Sequence, residues 1–243
     1  MNPSAYQATL IAVLVALAAT LIPVLLSKRA YLRQRWFSWL AIFAVFTGAI
    51  TLDGVSIQIG WPTHVITGLL WIAVAFKMQG EILNLASNHE NRSAFFLILF
   101  TILNFTACLS LWLQGWQGYV LLFLLAAFDV AAWVGGQLAR RFGWHWATRQ
   151  ISPKTSPNKT LGGLLAGSVA TWGMLLLVGF PSLPLWVAIV ILGPLGDWLE
   201  SAFKRKIGVK DAADWLPGFG GLLDRLDSLL FLAPVALLLQ LMA

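Results

Sequence analysis

Long apolar segments alternate with shorter polar ones along the whole chain. Eight apolar segments can be distinguished, at residues 5–27, 36–52, 62–76, 94–113, 117–138, 161–180, 184–197 and 222–242. An apolar run of about 20 residues has the length of a membrane-spanning helix. The pattern therefore predicts an all-α polytopic integral membrane protein with about eight transmembrane helices. The segment 184–197 is short, and Pro184 and Pro194 predict a tilted or irregular helix there.

The composition excludes a soluble domain. Of the 243 residues, 59% are apolar and 11% are charged, whereas soluble domains are about 45–50% apolar and about 25% charged. A soluble fold of this length could not bury so much apolar surface. Cys108 is the single cysteine, which excludes an intramolecular disulfide and a cysteine-based zinc or iron–sulfur site.

The basic residues predict the orientation of the chain in the membrane. All 16 Lys and Arg residues lie in or beside four polar breaks, at residues 28–35, 77–93, 139–160 and 198–221. With eight spans these breaks share one face, which the positive-inside rule places in the cytoplasm. This rule explains the net charge of +6 without a nucleic-acid partner. We therefore expect a protein of the inner (cytoplasmic) membrane with its active site on the cytoplasmic face.

One candidate site follows the seventh apolar segment. If the helix continues past that segment, five polar residues recur at i, i+3, i+4, i+7 and i+8 and share one face: Asp197, Glu200, Ser201, Lys204 and Arg205. A solvated helix extension with an i,i+4 pair is the alternative interpretation.

A glycine-rich turn and an acidic cluster come next. Lys210 and Asp211 precede the turn 217–221, in which Gly220 and Gly221 could bring backbone N–H groups close to a phosphate. A plain turn between helices is the alternative. Two acids and a base then open the last apolar segment: Asp224, Arg225 and Asp227. Helix capping explains one acid there but not the whole cluster.

Two further groups of residues carry candidate chemistry. Asp129 is an acid inside an apolar segment. Because an acidic side chain is costly inside a membrane, we interpret it as a functional residue. A structural hydrogen bond to a neighbouring helix is the alternative. Ser156, Lys159 and Thr160 precede another apolar segment and suit phosphate contacts, with an N-capping linker as the alternative. Carboxylates without His or Cys neighbours favour Mg²⁺, and Mg²⁺ among Lys and Arg is suited to phosphates.

These residues resemble a known signature. The runs that match are Ser201-Ala-Phe-Lys-Arg205, Lys210-Asp211, Leu216-Pro-Gly-Phe-Gly-Gly221 and Asp224-Arg-Leu-Asp227. Together they resemble the signature of the phosphatidate cytidylyltransferases (CDP-diacylglycerol synthases). Three weaker similarities agree: Gly196-Asp197 with Glu200-Ser201, Ser156-Pro-Asn-Lys-Thr160, and Asp129 to Gly135 with Trp133 in place of a tyrosine.

The resemblance implies a reaction and a set of roles. The reaction is transfer of CMP from CTP to phosphatidate, which gives CDP-diacylglycerol and pyrophosphate. Asp197 and Asp224 would hold Mg²⁺, with a second cation left open. The bases expected to neutralise the phosphates are Lys204, Arg205, Lys210 and Arg225. The residues expected to contact the substrates or orient these groups are Asp129, Ser156, Lys159, Thr160, Ser201, Asp211, Gly220, Gly221 and Asp227.

The resemblance also divides the chain. Residues 1–116 are interpreted as membrane scaffold helices and residues 117–243 as the catalytic membrane domain. CTP, phosphatidate and the bilayer are the expected partners, and a homodimer is left open. The alternatives are CTP-dependent transfer to another membrane lipid phosphate and an ion-coupled transporter. A CDP-alcohol phosphotransferase is disfavoured because Asp53-Gly54 lacks the expected continuation.

Overall fold

The secondary structure confirms an all-α protein. The computed structural model describes residues 3–26, 30–58, 64–87, 94–153, 155–217 and 220–242. Within these residues it contains eight helices: α1 (Pro3–Leu26), α2 (Ala30–Gln58), α3 (Val65–Ser87), α4 (Ala94–Gln114), α5 (Trp116–Arg141), α6 (Leu161–Leu177), α7 (Leu183–Lys206) and α8 (Leu223–Leu241). A short antiparallel hairpin, β1 (Gln150–Ser152) with β2 (Ser156–Thr160), precedes α6.

All four predicted polar breaks are partly helical. The break at 28–35 is helical from Ala30, the break at 77–93 to Ser87, the break at 139–160 to Arg141 and the break at 198–221 to Lys206. The short segment predicted at 184–197 is thus part of a 24-residue helix that contains Pro194. The hairpin between α5 and α6 was not predicted, because its pairing depends on backbone contacts rather than on an apolar pattern.

The surface supports an integral membrane protein. Five of the described helices, α2, α3, α4, α5 and α7, are long and apolar enough to cross a membrane. Large apolar side chains are freely accessible along them and along α6, as at Phe76 and Val169. Soluble monomers rarely expose extensive apolar patches, so these surfaces are suited to lipid. The predicted orientation stays a prediction.

Small residues allow α5 and α6 to pack closely. A Cβ atom on Gly163 would lie 2.7 Å from the Ala132 carbonyl oxygen, and one on Gly167 would lie 2.9 Å from the Phe128 ring. Small residues at such positions let membrane helices approach backbone to backbone. This contact holds the middle of α5, including Asp129, beside the hairpin that leads into α6.

Helices α7 and α8 also make a close contact. A Cβ atom on Gly196 would lie 2.6 Å from the Asp227 carbonyl oxygen and 2.9 Å from Ser228 Cα. The Ser228 hydroxyl donates a hydrogen bond to the Gly193 carbonyl at 2.9 Å. Asp197, the residue after Gly196, is therefore held beside the first turns of α8.

Substituting this glycine tests the contact. We expect Gly196→Ala to lower the free energy of unfolding by about 1–3 kcal/mol, the usual cost of overpacking, and to reduce activity by separating Asp197 from Asp227. Gly173→Ala is the matched control, because no heavy atom lies within 4 Å of its added Cβ. Thermal unfolding in detergent measures the effect. Equal unfolding temperatures for the two variants would contradict the packing argument.

Aromatic residues position the other end of α7. Phe203 is buried and stacks on Phe96 and Phe100 of α4, with ring centroids 5.2 and 5.4 Å apart. Stacked aromatic pairs stabilise beyond their buried area. The stack fixes the rotation of the last turns of α7, and with it the direction of Lys204.

Asp53 has a structural role at the start of α3. Its carboxylate is buried and accepts hydrogen bonds from the backbone N–H groups of Ile66 and Thr67, at 2.7 and 3.0 Å. The Thr67 hydroxyl bonds to it as well. Asp53 thus caps α3, since a carboxylate satisfies N–H groups at a helix start that have no partner within the helix.

Candidate active site

Charged residues from four elements meet at one end of the helix bundle. The elements are α5, the hairpin, the second half of α7 and the start of α8. The side chains form two neighbouring groups. The outer cluster consists of Asp129, Lys159, Asp197, Arg225 and Asp227. The inner triad consists of Glu200, Lys204 and Asp224.

Three carboxyl groups of the outer cluster interact electrostatically with one another. Asp227 interacts electrostatically with Asp197 and with Asp129, and these interactions are repulsive. Arg225 opposes the repulsion by attracting Asp129 and Asp227. Lys159 forms an ion pair with Asp197, at 2.6 Å from Nζ to Oδ2. The cluster is thus rich in acidic oxygen atoms and only partly neutralised.

The members of the outer cluster differ in exposure. Asp227 is buried, whereas the Asp197 side chain is 35% exposed and that of Lys159 is 26% exposed. Asp129 is exposed. A ligand can therefore contact Asp129, Lys159 and Asp197 from outside the protein.

The inner triad is a buried ionic network. Lys204 Nζ lies 2.6 Å from Glu200 Oε2 and 2.5 Å from Asp224 Oδ1. All three residues are buried, and Glu200 is fully so. A buried carboxylate is costly unless it is paired. The positive charge of Lys204 therefore offsets the negative charges of two carboxylates of the protein, those of Glu200 and Asp224.

The carboxylate of Asp224 accepts hydrogen bonds from several donor groups of the protein. In addition to Lys204, its carboxylate accepts hydrogen bonds from the backbone N–H of Ala212, at 2.8 and 3.1 Å, and of Gly221, at 2.7 Å. A carboxylate has about four lone-pair positions, and these contacts use them. Asp224 thus anchors the loop between α7 and α8. The predicted metal pair of Asp197 with Asp224 stays a prediction, and Asp197 also interacts electrostatically with Asp227.

The predicted face of α7 forms, but its members have different roles. The Ser201 hydroxyl donates a hydrogen bond to Asp197 Oδ1 at 3.2 Å. The Arg205 guanidinium is exposed and donates to the Val209 carbonyl at 2.8 Å, which closes the turn after the helix. Lys210 and Asp211, on the following loop, are exposed. Helical spacing was therefore a correct guide to the face and to the i,i+4 ion pair of Glu200 with Lys204, whose charged atoms lie 2.6 Å apart.

The hairpin delivers Lys159 to the site. Trp198 on α7 donates its indole N–H to Ser152 of β1 at 3.0 Å, which docks the hairpin on α7. Thr160 caps α6 by accepting a hydrogen bond from Gly163 N at 3.2 Å, as the alternative interpretation of this segment expected. Ser156 lies at the start of β2 and is half-buried.

The glycine-rich turn serves packing in this structure. Gly220 has a φ of +85°, and a Cβ atom there would lie 2.7 Å from Asp224 Oδ2. Only glycine adopts such a conformation without strain. Leu216 and Gly220 pair through two backbone hydrogen bonds. The Gly221 N–H donates to a carboxylate rather than to an open pocket, and Gly218 and Phe219 lie outside the described residues.

Sequence reasoning missed a contribution from the N-terminal half. Glu81 of α3 is buried and accepts three hydrogen bonds: from the Trp215 indole at 2.6 Å, from Leu222 N at 3.0 Å and from Leu223 N at 2.9 Å. Lys77 lies over the Trp215 ring at 4.7 Å, and the Ser38 hydroxyl donates to the Pro217 carbonyl at 2.9 Å. Glu81 falls in the predicted polar break 77–93, so the signal that identified Asp129, an acid inside an apolar segment, could not identify it.

Comparison with known proteins covers nearly the whole chain. A model of the cytidylyltransferase family matches residues 1–242. Phosphatidate cytidylyltransferases of Staphylococcus saprophyticus and Staphylococcus haemolyticus are 39% and 40% identical to it over 123 residues, or 46% of this chain and 46% of each relative. An uncharacterized protein of Escherichia coli K12, YnbB, is 42% identical over 127 residues, or 48% of this chain and 40% of that relative. The chain thus spans less than half the length of the curated relatives it matches.

Proposed function

This chain belongs to the cytidylyltransferase family, and on that premise we propose that it transfers CMP from CTP to phosphatidate to form CDP-diacylglycerol and pyrophosphate. Two observations support phosphatidate as the acceptor. Staphylococcal relatives are phosphatidate cytidylyltransferases, and the outer cluster lies at one end of a bundle of apolar helices. A lipid phosphate can reach such a position from the bilayer.

The single observation that carries the proposal is the mixed charge of the outer cluster. Three acidic side chains lie with two cations, and Lys159 forms an ion pair with Asp197. A bound divalent cation would add positive charge beside these two cations, which would attract the phosphates of CTP and phosphatidate.

Two carboxylates of the cluster suit Mg²⁺. Mg²⁺ keeps several waters and is usually held by one or two carboxylates, and the described residues contain no group of three or more potential metal ligands. We assign Asp197 and Asp227 as the residues that would hold the ion. The predicted ligand Asp224 is replaced in this assignment because its lone pairs are in use.

The reaction needs positioning more than a strong base. The second pKa of a phosphomonoester is about 6, so phosphatidate is largely a dianion at neutral pH. Its phosphate oxygen attacks the α-phosphorus of CTP, the bond from that phosphorus to the oxygen shared with the β-phosphorus breaks, and pyrophosphate leaves with the electron pair. Mg²⁺ would supply charge stabilisation for the phosphates and the departing pyrophosphate.

The bases divide into accessible and structural ones. Lys159 and Arg225 belong to the outer cluster and neutralise substrate phosphates there. Lys210 is exposed on the adjoining loop and can approach the same anions. Lys204 is buried between two carboxylates, so we assign it to the architecture of the site rather than to CTP.

The compartment that contains CTP indicates on which face of the membrane the site lies. CTP is a cytosolic nucleotide, and two of the described basic residues contact this end of the bundle: Lys159 pairs with Asp197, and Lys77 lies over Trp215 on the loop before α8. We therefore propose that this end faces the cytoplasm and that the protein resides in the inner membrane. A homodimer stays a prediction, which the mass of the purified protein–detergent complex would test.

A defined assay tests the reaction. Purified protein in detergent micelles is given phosphatidate, labelled CTP and Mg²⁺, and lipid-linked CMP and pyrophosphate are measured. We expect both products in equal amounts, and we expect excess EDTA to remove turnover and added Mg²⁺ to restore it. Turnover that persists in EDTA would contradict the metal assignment.

The same assay separates the alternatives. An isoprenoid-ether phosphate in place of phosphatidate tests the use of another lipid phosphate. A protein that moves ions or solutes would release no pyrophosphate from CTP when either lipid is added. Absence of lipid-dependent pyrophosphate release would therefore reject the enzyme.

A further inference from the structure

The first turn of α8 is held by a carboxylate that comes from the other half of the chain. Glu81 lies on α3, and its bonds reach 134 to 142 residues along the sequence to Trp215, Leu222 and Leu223. Leu222 and Leu223 supply N–H groups at the start of α8, where helical N–H groups have no partner within the helix. Glu81 therefore fills the anion position at this helix end.

The carboxylate of Glu81 is closely packed against the chain that leads into α8. Gly221 packs directly against the carboxylate, so that a Cβ atom there would lie 2.9 Å from Glu81 Cδ. Glu81 itself is 4% exposed, which excludes bulk water as an alternative partner for Leu222 and Leu223. The position of the turn relative to α3 thus depends on this side chain.

The same turn carries site residues. Leu223 precedes Asp224, and Arg225 and Asp227 follow within one helical turn. At about 1.5 Å of rise per residue, all three lie within roughly 6 Å of the Glu81 contact along the axis. Displacing a reacting group by about 1 Å can cost on the order of 100-fold in rate, so a small shift of this turn matters.

We propose that Glu81 is a positioning residue, which sets the location of Arg225 and Asp227 by binding the N-terminus of α8 from the N-terminal half of the protein. This proposal rests on the proposed function. Glu81 touches neither substrate nor the outer cluster; it acts through the backbone of α8. The N-terminal helices are then part of the catalytic unit rather than only a membrane scaffold.

A matched pair of variants tests the proposal. Glu81→Gln keeps the size of the side chain but replaces one acceptor oxygen by a donor group. Asp53→Asn makes the same change at a carboxylate that also caps a helix with two backbone N–H bonds, away from the outer cluster. A purely structural role predicts that both variants lose thermal stability and that the folded fraction of each keeps the wild-type kcat.

The positioning role predicts a different result. We expect the folded fraction of Glu81→Gln to lose about 10–100-fold in kcat, the usual effect of removing a supporting contact, while Asp53→Asn keeps the wild-type kcat. The KM for phosphatidate should rise as well, because Arg225, which we assign to the substrate phosphates, moves with the start of α8. Hydrogen exchange at the amides of residues 222 and 223 should become faster only in Glu81→Gln. Equal kcat values for the two variants would overturn the proposal.

A milder variant keeps the test decisive if Glu81→Gln does not fold. Trp215→Phe removes one of the three donors to Glu81 and leaves the bonds from α8 in place. We expect a smaller decrease in kcat in the same direction, and a wild-type kcat would count against the proposal. The assay of the wild-type protein reports separately on the proposed function, since loss of that function appears as absence of turnover before any variant is compared.

Discussion

Asp227→Asn is expected to reduce turnover by about 100–1,000-fold, the range found when a single group that stabilises transition-state charge is removed. Asp227 interacts with both Asp197 and Asp129, so replacing its carboxylate by an amide removes one proposed metal ligand from the outer cluster. Asp197→Asn should have a similar effect, because Asp197 also pairs with Lys159.

Asp214→Asn is the control for these variants. Asp214 is an exposed acid on the loop between α7 and α8, outside the outer cluster, and its replacement should leave turnover within about twofold of wild type, as is usual for surface changes. Initial rates of CMP transfer at saturating CTP and Mg²⁺ provide the comparison. Near-normal rates for both Asp197→Asn and Asp227→Asn would reject the outer cluster as the catalytic site.

Lys204→Met is expected to have the largest effect on stability. Removing one partner of a buried ion pair costs about 3–5 kcal/mol, because the remaining charge has no compensation. Here two buried carboxylates, Glu200 and Asp224, lose the same cation. The unfolding temperature in detergent should therefore fall far more than in Lys206→Met, which loses only a contact with the Phe96 ring worth about 0.5–1 kcal/mol.

A second substitution identifies the cause of that loss. Adding Asp224→Asn to Lys204→Met removes one of the two uncompensated carboxylates. We expect the double variant to unfold at a higher temperature than Lys204→Met alone, which is a non-additive result typical of contacting residues. If the two losses simply add, the triad is not a coupled network.

The sequence predicted the charged end of the bundle more accurately than the contacts within it. The face of α7 that carries Asp197 and Lys204 follows from helical spacing, and that face forms. Asp224 and Asp227, however, are three residues apart on α8 and occupy almost the same face. Which of them lies beside Asp197 depends on the rotation and depth of α8, which Gly196 and Glu81 set through contacts distant in sequence.

The glycine-rich turn shows the same difference. Its glycines correctly excluded a helix interior, and the positive φ of Gly220 agrees. The N–H group of Gly221 could have served a phosphate or a carboxylate, since both are anions. The structure shows a carboxylate, and only packing against α3 and the inner triad makes that choice.

The amino-acid order alone determined that the protein is a membrane protein, how many helices it has and which end of the bundle carries the charged residues. These properties depend on the hydrophobicity and helical spacing of residues that are neighbours in the sequence. Tertiary structure decided that Asp224 accepts hydrogen bonds from the loop between α7 and α8, that Lys204 pairs with both Glu200 and Asp224, and that Glu81 binds the start of α8. Those outcomes depend on how whole helices rotate and dock, and close backbone contacts at a few small residues set that rotation.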